Sequence, residues 1–101
     1  MSDFYVMDET GVVRQVAECT EWAKWFETAK RSIREDVLPD GTRISTVFLG
    51  IDHNFFPGGR PLLFETMIFG GPHHHYQDRY STRDEAIAGH LIAVKIAGLI
   101  A

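Results

Sequence analysis

Arg43-Ile44-Ser45-Thr46-Val47-Phe48-Leu49-Gly50-Ile51-Asp52 and, further on, Leu62-Leu63-Phe64-Glu65-Thr66-Met67-Ile68-Phe69 decide the fold. β-Branched and aromatic residues dominate both stretches, which favours extended chain. Both carry apolar residues at odd and even positions. A strand apolar on both sides belongs in the middle of a sheet, so both are read as central strands. Gly50 inside the first marks a bulge or a close neighbour. Gly70-Gly71-Pro72 closes the second.

The neighbours of these strands follow from turn and helix signals. Residues 31–38 read as a strand with Ile33 and Val37 inward, ended by the turn Pro39-Asp40-Gly41. Residues 4–7 and 12–16 form a small hairpin about Asp8-Glu9-Thr10-Gly11. Thr20 is the expected cap of a helix whose Trp22, Trp25, Phe26 and Ala29 make one apolar stripe. Residues 75–80 read as a shorter strand at or near a sheet edge. Thr82-Arg83-Asp84-Glu85 is a capping box opening a helix to about residue 97. On that helix Ala86, Gly89 and Ala93 form a strip of small residues that lets it sit close to its neighbour. The expected architecture is α+β: a mostly antiparallel, twisted sheet of about four to six strands with two α-helices on one face, in a single domain over residues 1–101.

Composition narrows the function. Of 101 residues, 45% are hydrophobic and 24% charged, which suits a globular domain and excludes a disordered or collagen-like chain. The formal net charge is −4, with the excess acid in residues 1–40. The basic footprint of a nucleic-acid binder is missing, so no nucleic-acid partner is expected. Cys19 is the one cysteine, which fits a reducing compartment. Met1-Ser2-Asp3 opens without a basic or apolar leader, and the apolar stretch 91–101 is broken by Lys95. It is short of the roughly 20 residues that span a bilayer, so no membrane association is expected and the reading is cytoplasmic.

Four segments resemble a family of small uncharacterised proteins of bacteriophages, prophages and their bacterial hosts. They are Glu21-Trp22-Ala23-Lys24-Trp25-Phe26-Glu27, the stretch from Ser45 to Phe55, the stretch from Pro61 to Gly71, and Arg79-Tyr80-Ser81-Thr82 followed by Glu85-Ala86 and Ala88-Gly89-His90. The chain departs from the pattern at Phe55-Phe56-Pro57, which is more apolar, and at His73-His74-His75. The resemblance implies a phage- or mobile-element-associated accessory protein in a bacterial host cell, in the setting of host takeover or counter-defence. It carries no catalytic residue and no cofactor.

The residues offer two classes of function. The first is a binding protein without catalysis. Phe55 and Phe56 stand beside Pro57-Gly58-Gly59-Arg60, and an extended loop can bury at most one of two adjacent aromatics. Exposed aromatics on a glycine-rich loop read as a surface for a protein or small-molecule partner, with Arg60 alongside. Leu91, Ile92, Val94, Ile96, Leu99 and Ile100 make the last helix broader in apolar residues than one buried stripe needs, which offers a homodimer interface. The second class is a small enzyme or sequestering protein with Asp52, His53, Glu65, Arg79 and His90 in a pocket at the sheet end. The plainer roles are Asp52 capping its loop, Glu65 paired with an arginine, and His90 bonded to a backbone carbonyl, Tyr76 or Tyr80. His73 and His75 would share one side of an extended segment. That gives two metal ligands at best, so no metal and no cofactor is expected.

Overall fold

The computed structural model describes residues 3–99. Met1, Ser2, Ile100 and Ala101 lie outside the described residues, and with them the leader reading and the last apolar residue assigned to the dimer face. The order of elements is β1 (Phe4–Met7), β2 (Val13–Val16), α1 (Cys19–Thr28), β3 (Ser32–Val37), β4 (Arg43–Phe48), β5 (Phe64–Phe69), β6 (Gln77–Tyr80) and α2 (Arg83–Ala97). The class is α+β and every strand pairing is antiparallel. The six strands divide into a β1-β2 hairpin and a four-stranded sheet in the order β3-β4-β5-β6. β4 and β5 are the central pair, as their two-sided apolar character requires.

Register explains the core. Ile44 lies opposite Ile68, Thr46 opposite Thr66 and Phe48 opposite Phe64. All six side chains are fully buried beneath α2. The helix approaches through its small residues: Ala86, Gly89, His90, Ala93 and Ala97 form its buried side. The core therefore has two apolar ends. Ile44 and Ile68 pack with Ala93 and Ala97, and Phe48 and Phe64 pack with Leu63 and Ala86. Thr46, Thr66 and His90 lie between them.

Gly89 sets the helix-to-sheet distance. A Cβ there would fall 2.2 Å from the Cζ of Tyr80. Gly89→Ala should lower stability by up to about 2 kcal/mol in urea unfolding, because overpacking of about 1–3 kcal/mol outweighs the gain of about 1 kcal/mol in helix propensity. A stabilised variant would show that α2 is free to lift off the sheet.

The hairpin joins the large sheet where Gly50 (φ 80°) turns the chain out of β4. The Gly50 carbonyl accepts from Tyr5 N–H at 2.9 Å and from Trp22 Nε1–H at 2.9 Å. A Cβ at position 50 would lie 3.1 Å from that indole nitrogen, so Gly50 meets both a left-handed backbone and a close neighbour. Trp25 then stacks edge-on against Phe48 with centroids 5.7 Å apart, which ties α1 to the core on the same face as α2.

Three local expectations are corrected. Glu18, not Thr20, is the N-cap of α1, and no side chain caps it; Cys19 is already helical. Val37 faces outward and is 63% exposed. The cause is a register irregularity between Ser32 and Arg34. A bulge there shifts the alternation by one residue, so the strand exposes Val37 and turns Asp36 inward. Residues 72–75 form a turn, not part of an extended segment, and His75 takes a positive φ of 79°. His74 and His75, not His73 and His75, have adjacent rings, with centroids 4.0 Å apart.

Candidate functional site

The loop between β4 and β5 is hydrogen-bonded from its stem to its tip. Leu49 N–H donates to the Leu63 carbonyl at 2.7 Å, and His53 N–H to that of Leu62 at 3.0 Å. Asp52 Oδ1 accepts from the amides of Asn54 (2.7 Å) and Leu62 (2.9 Å), which pins both ends of the loop through one carboxylate. Asn54 continues the frame. Its Oδ1 accepts from Phe56 N–H at 3.0 Å and its Nδ2 donates to the Arg60 carbonyl at 2.8 Å. His53 donates from Nδ1–H to the Ile51 carbonyl at 2.8 Å, so the ring is held in place. Arg60 forks onto Glu85 at 2.9 and 3.3 Å, which ties the loop to the first turn of α2.

The tip of this frame shows two phenylalanines to water. Phe55 is 82% exposed and Phe56 83%. Phe55 leans on the His53 ring with centroids 6.4 Å apart. Burying such a side chain is worth about 1.5–3 kcal/mol, and here neither residue takes that gain. The polar side chains fix the backbone that carries these rings and leave the rings uncovered.

The other candidates separate. Glu65 and Arg79 lie opposite each other on β5 and β6 and form an ion pair at 2.9 Å, with Gln77 donating to the same carboxylate at 2.6 Å. They occupy the face of the sheet away from α2. His90 lies under the opposite face, fully buried. Asp52 and His53 belong to the loop. The five residues expected in one pocket at the sheet end thus sit in three places.

His90 has partners that the sequence reading did not name. Its Nε2 lies 2.7 Å from Asp36 Oδ2 and its Nδ1 2.6 Å from Thr46 Oγ1, and Thr46 bonds Thr66 in turn. The expected partners, a carbonyl, Tyr76 or Tyr80, are replaced by these. For a neutral imidazole the pattern closes: Nε2–H donates to the carboxylate, and Nδ1 accepts from Thr46 O–H, whose oxygen accepts from Thr66. Carboxylate, imidazole and hydroxyl stand in line, but Thr46 and His90 are both shut off from solvent. No substrate reaches the hydroxyl. The arrangement is a satisfied polar layer between two apolar ends of the core, and it fixes α2 against β3 and β4.

Asp36 makes this layer sensitive to acid. The hydrogen bond from His90, and then those from Arg34, hold its carboxyl below the ordinary value of 3.8. Asp8 and Asp40 are lowered by hydrogen bonds within their turns, and Glu85 by Arg60 and Thr82. A depressed folded-state pKa gives stability that is complete above the unfolded value and lost as pH falls through the folded one. The contribution of these carboxylates to the urea midpoint should hold above their ordinary pKa values and fall below them. Asp36→Asn should lose less on acidification than the parent chain; an identical acid limb would show that Asp36 does not contribute.

Among the described residues, no group of three or more His, Cys, Asp or Glu side chains is placed to hold a metal ion. His74 Nδ1 accepts from Gly70 N–H at 2.7 Å, so one ring of the histidine turn serves the loop itself. Among the described residues, no helix is long and apolar enough to cross a membrane. No family model, curated protein or solved structure matches the chain.

Proposed function

We propose that the chain is a binding protein without catalysis, which engages a protein partner through Phe55 and Phe56. The observation that carries this reading is the contrast between a loop braced by the Asp52 and Asn54 side chains and two aromatic side chains more than four-fifths exposed at its tip. An aromatic pair on a braced backbone costs little loop ordering on docking, which makes it an efficient anchor for an apolar cleft. The Arg60–Glu85 pair supplies a polar border on one side. The resemblance of the four segments to proteins of phages and prophages supports an accessory role in host takeover or counter-defence, in the cytoplasm of a bacterial host cell. The test is capture from host lysate with the parent chain and with Phe55→Ser/Phe56→Ser as baits. A protein retained by the first and lost from the second supports the reading; equal retention overturns it.

The second surface is α2. Leu91 and Ile92 are 44% and 56% exposed on the side of the helix away from the sheet, and Leu99, just past its end, is 61% exposed. This favours a homodimer through the C-terminal helix. Sedimentation of the parent chain beside Ile92→Glu should then show a dimer only for the parent; a monomer in both removes the dimer.

A further inference from the structure

The seam between the β1-β2 hairpin and the start of β3 holds an open groove of about 870 Å3. That volume lies within the range of about 300–1,000 Å3 typical of small-molecule sites. Val6, Met7, Trp25 and Ile33 line its apolar part. The Trp25 ring is fixed there, because its Nε1–H donates to the Met7 carbonyl at 3.1 Å.

Charges of both signs line the groove: Arg14, Lys30 and Arg83 with Asp8 and Glu9. Two of these charges are already engaged. Arg14 pairs with Glu21 at 2.8 Å, and Asp8 Oδ1 accepts from Thr10 and Val12 within its own turn. Lys30 and Arg83 have neither a hydrogen-bonding nor an ion-pair partner among the described residues. The Arg83 side chain lies against Gly11, where a Cβ would come 3.0 Å from Cδ and 3.2 Å from Nε, and the φ of 89° at position 11 favours glycine as well. Thr28 and Ser32 add hydroxyls to the lining.

We propose that this groove binds a small organic anion, its charge met by Arg83 and Lys30 and its aromatic or short aliphatic body resting on Trp25 and Ile33. A guanidinium is suited to a carboxylate because it offers two parallel N–H donors. The site is independent of the Phe55–Phe56 loop.

The experiment is an NMR titration of the 15N-labelled chain with 4-phenylbutyrate, following the Trp25 indole N–H. 4-Phenylbutanol and inorganic phosphate serve as probes that lack the charge or the body. The expected result is a saturable shift with 4-phenylbutyrate by about 10 mM, and binding of the alcohol and of phosphate at least about tenfold weaker. Arg83→Gln and Lys30→Gln, both at surface positions, should each weaken binding by about three- to tenfold while the remaining spectrum is unchanged. No shift of the Trp25 signal overturns the proposal. So does equal binding of the alcohol, or full affinity in both variants.

Discussion

His90→Ala is expected to lower the free energy of unfolding by about 3–5 kcal/mol, a large share of the roughly 5–15 kcal/mol typical of a domain. Two effects combine. The ring is fully buried between α2 and the sheet, so its loss leaves a cavity. The loss also removes one of the two buried partners of the Thr46 hydroxyl, which keeps only Thr66, and a buried polar group short of a partner costs up to about 1–3 kcal/mol. Asp36 suffers less, because its side chain is 35% exposed and can turn to water. Urea unfolding at neutral pH measures the loss. Removing the polar layer as a unit should cost less than breaking it. His90→Leu combined with Thr46→Val and Thr66→Val should therefore be more stable than His90→Ala, since apolar groups replace the three fully buried members at once and the part-exposed Asp36 turns to water. A His90→Ala variant within about 1 kcal/mol of the parent would contradict the structural role given to the layer.

Phe55→Ser/Phe56→Ser is expected to have the opposite profile. Neither ring is part of the core, so stability should stay within about 0.5 kcal/mol of the parent. Binding should fall steeply. Aromatic anchors at the centre of an interface contribute about 2 kcal/mol or more each. Two of them correspond to a loss of about a thousandfold in affinity, at 1.4 kcal/mol per factor of ten. Titration calorimetry with the captured partner and urea unfolding of the same variant give both quantities. A stability loss of about 2 kcal/mol or more would place the rings in the core.

These two predictions differ in how far the sequence anticipated them. The loop was legible because two adjacent aromatics beside glycines cannot both turn inward from an extended chain. The central strands, the Thr82–Glu85 capping box and the close approach at Gly89 were legible because each rests on neighbours in sequence or on a fixed helical spacing. Asp36 was not. Ile33 and Val37 have the same parity and both invite an inward reading, which leaves Asp36 outside. The irregularity between Ser32 and Arg34 reverses that phase, and it is defined only by pairing with β4, which the local sequence does not contain. The partners of His90 were missed for the same reason: Asp36 and Thr46 come from strands 54 and 44 residues away in the chain. Thr46 and Thr66 looked like β-formers in apolar strands, and only their cross-strand register makes them a polar pair.

The histidine turn and the hairpin show a further limit. His73-His74-His75 was read as extended, whereas hydrogen bonds from His74 to the Gly71 carbonyl and from Tyr76 to that of His73 close a turn. The hairpin was recognised by its turn, but its attachment through Gly50 and a single bridge between Phe4 and Ile51 depends on Trp22 and on backbone groups far apart in sequence.

Docking of a partner on the aromatic tip of the β4–β5 loop, as proposed, is tested by photo-crosslinking with p-benzoylphenylalanine at position 56 in one sample and at position 92 on α2 in another. The expected result is a discrete protein adduct from position 56, competed by unlabelled parent chain and not by Phe55→Ser/Phe56→Ser. An adduct from position 92 with none from position 56 would contradict it and move the partner surface to the C-terminal helix.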